Sequence, residues 1–377
     1  MTNFTFYEFF CGGGMARAGL GAGWDCVFAN DFDAKKAISY ARNWGAEALV
    51  VKDVGAVSAS ELPGRADLAW ASFPCQDLSL AGMGAGLGGE RSGAFWPFWR
   101  LMRQLREEGR APATIVLENV CGALTSHGGA DFRALARALG EASYRFGALL
   151  IDALDFVPQS RPRLFIVAGA AGAGVPDEIV GDGPSPKWHG AALRAAHLSL
   201  DPETKRRWLW WRPPEAARRN VGLGDLVEEP PSGVRWRSDE DTRALLDLMS
   251  EANLAKVRAA RGRRGRLVGA LYRRTRAAPG GGKAQRAEVR FDDVAGCLRT
   301  PAGGSSRQSL VIVEGERVRS RLVSAREAAR LMGLPDGYVL PERYNDAYHL
   351  VGDGVAPPVV RHLAEHILEP ILRARPA

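Results

Sequence analysis

Cysteine is scarce in this chain of 377 residues, and none of it is clustered. The five cysteines, Cys11, Cys26, Cys75, Cys121 and Cys297, never occur in CxxC spacing, which argues against both a disulfide framework and a structural zinc site. No uninterrupted apolar run approaches the length that a membrane-spanning helix needs, so no membrane partner is expected. The first residues, MTNFTFYEFF, lack the basic start of a secretory signal and run straight into strand-like sequence, which makes the cytoplasm the expected compartment. Internal repeats are absent. Acidic residues are missing from one long stretch: Ala252 to Ala287 holds no Asp or Glu but eleven Lys and Arg. That exceeds the net +7 of the whole chain, so the remainder is mildly acidic. A basic block on an acidic body reads as a polyanion footprint, with nucleic acid the first candidate and a solvated linker the competing reading.

What is present is the composition of a globular protein, 46% hydrophobic and 25% charged, in a chain long enough for a large domain and a smaller one. Phe4–Phe10 alternates as a strand, Cys11-Gly12-Gly13-Gly14 makes a glycine turn, and MARAGLGAGW suits a helix. Strand, glycine turn and helix open a nucleotide-binding α/β unit, although three consecutive glycines do not match the GxGxxG fingerprint. Further strands are expected at 26–29, ending in Asn30-Asp31, at 48–51, ending before Asp53, at 66–73 and at 114–117, with helices at 33–44, 95–106 and 131–139. Asp31 stands about 20 residues past the glycines, where such folds bind ribose hydroxyls. The alternation predicts an α/β fold with a mostly parallel, Rossmann-like sheet. A strand pair flanks Gln159-Ser160-Arg161-Pro162-Arg163. After Ala168 the character changes to Gly-, Pro- and Ala-rich sequence, which divides the chain into residues 1–169, an irregular smaller region at 170–318, and a returning segment at 319–377. Helices are expected at 324–332 and 359–373.

Phe73-Pro74-Cys75-Gln76 has the form of a nucleophile at the tip of a buried strand, and a glycine-rich stretch follows it. Ligands of open α/β sheets bind beyond the carboxyl ends of the strands. A lone cysteine is ordinarily a small buried hydrophobe. What raises Cys75 above that reading is the next strand, which ends in Glu118-Asn119-Val120 and presents a carboxyl group at the same edge.

Taken in order, five pieces carry a resemblance: Phe10 to Gly14, Pro74-Cys75-Gln76, Glu118-Asn119-Val120, Gln159-Arg161-Arg163, and Gly352-Asp353-Gly354-Val355. Over 5–168 and 319–360 the chain resembles the DNA (cytosine-5)-methyltransferases that use S-adenosylmethionine. Cytosine C5 is too poor a nucleophile to take a methyl group until a thiolate has added at C6, and a cysteine performs that covalent step. The resemblance makes Cys75 the nucleophile, gives Glu118 the ring N3 and exocyclic amine, and gives Arg163 the ring O2. It assigns Arg161 to the carboxyl and thiol side of the pocket and Asn119 to orienting the loop that bears Cys75. For the cofactor it implies Phe10, Cys11, Gly12, Gly13, Gly14, Asp31, Phe32, Asp53, Val54, Pro74, Ala94, Asp353, Gly354 and Val355. Met15, Ala94 and Asp353 depart from the family's usual glycine, leucine-like residue and asparagine.

A base inside a duplex must be flipped out before such a pocket can hold it, and the stretch from Leu80 to Gly93 suits a closing loop with Arg91 on a phosphate. Residues 170–318 occupy the place of the target recognition region, with Arg261, Arg263, Arg264, Arg273, Arg274 and Arg299 as DNA contacts. The resemblance implies double-stranded DNA as partner and a monomer, and it leaves a cognate restriction endonuclease open. Rival readings are methylation of RNA, a non-catalytic DNA-binding protein on the same fold, an NAD-dependent dehydrogenase, a cysteine hydrolase with Cys75 and His127 but no evident acidic partner, and a metal site at His362, Glu365 and His366.

Overall fold

The computed structural model of the chain describes residues 3–74, 94–277, 281–298 and 307–374. The chain divides into two compact units, one of Met1–Asp152, Pro162–Ala216 and Val355–Ala377, the other of Ala153–Arg161 and Ala217–Gly354. Among the described residues no helix is long and apolar enough to cross a membrane.

Short apolar strands alternating with amphipathic helices give the first unit its sheet. The strands are β1 (Phe4–Phe9), β2 (Trp24–Asp31), β3 (Leu49–Val51), β4 (Leu68–Ala71), β5 (Thr114–Val120), β6 (Tyr144–Asp152) and β7 (Pro162–Ala170). They lie in the order β3-β2-β1-β4-β5-β7-β6. All pairings are parallel except those of β7, which runs antiparallel to both neighbours. The sheet is the Rossmann-like one expected. Four connections carry a helix where the apolar spacing is helical, α1 (Met15–Leu20), α2 (Ala34–Trp44), α3 (Phe95–Glu107) and, between β5 and β6, α4 (Ala130–Glu141), whereas β3 and β4 are joined by two short 3-10 turns. The Asp33 carboxylate caps α2 by accepting from the Lys35 amide at 2.8 Å. Phe98, Leu101, Met102 and Leu105 of α3 and Phe132, Leu135 and Leu139 of α4 pack on Tyr7, Phe9, Ile115 and Leu117 to form the main core. Truncating one such aromatic side chain costs about 3–5 kcal/mol.

Residues 170–216 join this unit rather than forming a separate region. β8 (Val180–Gly181) pairs with β9 (Trp210–Trp211), and the Trp211 indole donates to the Val167 carbonyl at 3.1 Å. Trp208 sets its edge against Phe132 and Phe146, with ring centroids 6.2 and 5.5 Å away. These tryptophans, irregularly spaced in sequence, extend the core past the outer strand of the sheet. Residues 357–373 also pack here. Gly19 of α1 meets Val360 so closely that an added Cβ would lie 3.0 Å from its Cγ1, and Trp24 donates to Glu369 at 3.3 Å. The single helix expected over 359–373 is interrupted by a π-turn at Ala364–Leu368.

The second unit, read from sequence as irregular, carries a four-stranded antiparallel sheet ordered β11-β10-β12-β13, from β10 (Arg266–Ala277), β11 (Lys283–Arg290), β12 (Ser309–Glu314) and β13 (Arg317–Leu322). Helices Asp239–Asp247 and Glu251–Arg261 cover one face, where Leu245, Met249, Val257 and Ala260 meet Leu271, Val289, Val311 and Val313. Residues 319–354 belong here. Arg321, fully buried, is paired with Glu327 at 2.5 Å, and Glu327 closes a capping box with Ser324 at the start of helix Ala325–Leu331.

Candidate active site

The carboxyl end of β1 turns sharply. Phe10 has φ 56° and Gly12 and Gly14 have φ 53° and 75°, so three of five consecutive residues adopt the left-handed region that only glycine enters freely. A Cβ on Gly14 would sit 2.7 Å from Cδ1 of Trp44, whose indole donates to the Gly13 carbonyl at 2.9 Å. Close backbone packing therefore requires the glycine, and α1 starts directly from it. Cys11 is buried beneath the turn, and burial, with Glu8 and Asp31 nearby, holds its thiol well above the ordinary range. Burial likewise raises Cys121, and raises Cys26 to about 12, so none of these three is poised as a thiolate.

Sequence reasoning missed Glu8. It lies on β1 with 1% exposure, one carboxyl oxygen accepts from the Arg17 amide at 3.3 Å, and the other has no hydrogen-bond partner among the described residues. Burial pushes its pKa up to about 8. An acid inside an aromatic, alternating strand resembles an outward-facing polar residue, and only covering both faces of the sheet reveals it as buried.

Asp31 ends β2 and joins two segments: Gly12 donates to one carboxylate oxygen at 2.8 Å and Asp33 to the other at 2.9 Å. Beside it Phe32 is 68% exposed and Val51 48%, an unusual pair of open apolar side chains at a strand edge. Asn30, also missed, is buried and donates to the Val50 and Lys52 carbonyls at 3.0 and 2.9 Å, which fixes the end of β3. There Asp53 caps the following turn through Gly55 at 2.7 Å, while Val54 enters the core. Ala94 leads into α3 and packs on the same core.

Two strands along, the Phe73 ring meets Phe10 at 6.5 Å and Phe95 at 5.6 Å. Its carbonyl accepts from the Asn119 side-chain amide at 3.0 Å, immediately before the exposed Pro74. On β5, Glu118 is buried and its carboxylate lies 3.3 Å from Nε of Arg163. This contact depends on β7 running backwards: Val120 pairs with Arg163, so the first residues of β7 lie beside the last of β5. A parallel β7 would have put that guanidinium at the opposite edge of the sheet.

The motif from Gln159 to Arg163 is divided. Arg163 belongs to the first unit, Gln159 and Arg161 to the second. Gln159 donates to the Leu331 carbonyl at 2.8 Å and accepts from the Leu298 amide at 3.1 Å. Arg161, 2% exposed, donates to the carbonyls of Leu298, Gly352 and Gly354 at 3.1, 2.8 and 2.7 Å, and to Cys297 Sγ at 3.3 Å. It ties the 352–354 turn to residues 297–298 within its own unit. Asp353 is exposed at the end of helix Tyr344–Asp353, and Val355 is buried in the first unit. Cys75, Gln76, Arg91 with the stretch from Leu80, and Arg299 to Ser305 lie outside the described residues.

In the basic block, acids from outside it meet several arginines: Arg261 lies 3.7 Å from Glu316, Arg266 2.8 Å from Glu229, and Arg274 3.7 Å from Glu288. Arg263, Arg264 and Arg273 are exposed. His127 does have an acidic neighbour that its sequence context did not reveal: its Nδ1 is 2.9 Å from Oδ2 of Asp131, one helical turn on. Glu365 pairs with Arg361 at 2.7 Å, and among the described residues no three His, Cys, Asp or Glu side chains converge as metal ligands.

A family model described as C-5 cytosine-specific DNA methylase matches residues 4–369. The chain is 24% identical over 369 residues to Type II methyltransferase M.NlaX of Neisseria lactamica, covering 97% of this chain and 96% of that protein. It is 25% identical to Type II methyltransferase M.HpaII of Haemophilus parainfluenzae, over 97% of this chain and 89% of that protein. Among solved structures it resembles the S. pombe Dnmt2 methyltransferase, with TM-score 0.59, 17% identity, and 98% and 99% of the two chains covered. The Entamoeba histolytica methyltransferase EhMeth gives TM-score 0.60 and 14% identity with both chains fully covered, and both structural likenesses concern the fold alone.

Proposed function

The chain belongs to the C-5 cytosine-specific DNA methylase family, and on that premise we propose that this DNA (cytosine-5)-methyltransferase moves a methyl group from S-adenosylmethionine to C5 of a flipped-out cytosine in a specific duplex sequence. Cys75 forms the transient bond to C6. The observation that carries this reading is the buried Glu118 carboxylate beside Arg163, next to an Asn119 amide that holds the chain two residues before Cys75.

The side chains at the edge of β1, β2 and β3 suit that cofactor chemically. Asp31 and Asp53 offer acceptors for ribose hydroxyls and an adenine amine, Phe10 and Phe32 offer apolar faces, Val54 anchors the turn after Asp53 in the core, and the left-handed turn from Cys11 to Gly14 brings backbone close to a ligand. Pro74, Ala94, Asp353, Gly354 and Val355 complete the set we assign to it. S-adenosylmethionine would supply an electrophilic methyl group. The protein's own task is to make C5 able to accept it.

The Cys75 thiolate adds to C6, and the displaced electron pair is taken up at N3 and O2, where Glu118 gives a proton and Arg163 donates hydrogen bonds. C5 thereby gains enamine character. Once C5 carries the methyl group, water takes the C5 proton, the C6–S bond breaks to return the thiolate, and N3 gives its proton back to Glu118, which restores the aromatic ring. Asn119 positions the chain before Cys75, and Arg161, held by the carbonyls of Leu298, Gly352 and Gly354, is assigned a supporting role. Arg91, Arg261, Arg263, Arg264, Arg273, Arg274 and Arg299 are assigned to DNA, and residues 170–318 to target recognition, although 170–216 fold with the first unit and the four-stranded sheet lies in the second. We place this work in the cytoplasm, by a monomer.

The test is to incubate the protein with S-adenosylmethionine and duplex DNA bearing 5-fluorocytosine, whose C5 substituent cannot be eliminated. Wild type should form a covalent adduct that Cys75→Ser does not form. Failure to form one on any duplex, together with methylation of tRNA, would overturn the DNA assignment.

A further inference from the structure

The basic block folds into something more specific than a charged surface. β10 and β11 form a two-stranded ribbon in which Arg273 pairs with Ala287, Arg274 with Arg286, Thr275 with Gln285 and Ala277 with Lys283. At its inner end Leu271, Ala287 and Val289 face the core. Beyond them Arg273, Arg274, Thr275, Gln285 and Arg286 are all exposed, so both faces of the outer ribbon are open. Arg274 and Arg286 stand directly opposite each other on one face. Like charges in that position destabilise a sheet, and the outer ribbon has no core to serve.

Arg274 is also held in place. Its guanidinium stacks over the Tyr272 ring, 4.6 Å from the centroid, and Glu288 lies 3.7 Å from its Nε on the same face. Among the described residues the Arg286 side chain makes no hydrogen bond or ion pair, so its guanidinium donors are available. From Arg273 to Ala277 the ribbon extends about 13 Å at ~3.3 Å per residue, more than the ~8.5 Å depth of the DNA major groove, whose ~12 Å width admits a two-stranded ribbon. A phosphate contact needs only a mobile cation. A stacked, braced arginine opposite a second one instead presents planar forks that match the O6 and N7 acceptors of guanine.

We propose that the β10–β11 ribbon enters the major groove and that Arg274 and Arg286 determine sequence specificity by reading guanine in the target sequence. This rests on the methyltransferase reading above, so binding and chemistry are tested separately. One arm selects bound sequences from a randomised duplex pool without cofactor, and the other maps methylated products of the same pool with S-adenosylmethionine. Wild type is compared with Arg274→Ala, Arg286→Ala and the double Arg→Lys variant. The alanine variants should lose discrimination for guanine at one or two positions by on the order of tenfold or more. The lysine variant keeps the charge and the salt dependence of binding but should lose the same discrimination.

Variants that weaken binding uniformly across sequences, with an unchanged preference, overturn the ribbon proposal and leave the methyltransferase reading standing. A wild type that selects guanine through these arginines yet methylates no duplex overturns the catalytic reading and supports the ribbon. Binding to no duplex overturns both.

Discussion

The side-chain amide of Asn119 donates to the carbonyl of Phe73 at 3.0 Å, while its own oxygen accepts from the Val120 amide at 2.8 Å. The end of β5 thus grips the backbone two residues before Cys75. Asn119→Asp removes the donor and sets a carboxylate against a carbonyl. We expect kcat to fall by on the order of 10²-fold, the scale of a misplacement near 1 Å, with cofactor affinity retained in calorimetry. Equal loss of cofactor binding would show that the contact only supports the fold.

Glu118 and Arg163, 3.3 Å apart, are expected to act as a unit. Glu118→Gln keeps the shape and removes the exchangeable proton, and the expected loss of turnover is on the order of 10²–10⁴-fold. Arg163→Lys retains a charge but not the fork, so its loss should be nearly as large. The double variant should be little worse than either single one. Additive losses in steady-state assays would count against a shared role.

Gly14→Ala forces a Cβ toward Trp44 from a backbone at φ 75°. Strain of this kind costs about 1–3 kcal/mol, to be read by denaturant unfolding. Cofactor affinity should weaken too, because the Gly13 carbonyl is tied to the same indole. Gly109→Ala, at φ 71° with nothing near its Cβ, separates backbone strain from the clash.

Glu8 gives the protein a pH dependence of a defined sign. Its pKa is raised from 4.5 to about 8 in the folded chain by burial, so the folded state binds the proton more tightly than the unfolded one. Its contribution to stability is complete below pH 4.5, declines as pH rises through the window, and is gone above about 8. Glu8→Gln keeps the acceptor for Arg17 and removes the titration. Its unfolding free energy should vary less between pH 5 and pH 8.5, by on the order of a few kcal/mol. Parallel pH profiles for the two proteins would sink this account.

The α/β class was legible because strands and helices alternate with the right periods, and Asp31, Asp53 and Glu118 fall at or near the carboxyl ends of strands as that reading expects. The reversal of β7 was not, since direction in a sheet leaves no local mark on Pro162–Ala170. Nor was the allegiance of 170–216: Trp208 and Trp211 are spaced for partners on Phe146 and Val167, distant in sequence. Arg161 and Arg163 stand two residues apart in one motif, yet they are bonded in different units. The pairing of Arg274 with Arg286 needed a register that the glycine-rich sequence between the strands does not fix.

The short segment Ala153–Arg161 is separated in sequence from the rest of its unit, which begins at Ala217. The Ser160 amide donates to Ala295 at 3.0 Å, Ala295 donates back to Pro158 at 2.8 Å, and Gln159 holds Leu331. A chimera that transplants 217–354 alone onto another scaffold would orphan these groups, at about 1–3 kcal/mol for each buried one. Moving the second unit, proposed above to recognise the target, onto or off this enzyme therefore means moving two pieces of chain together.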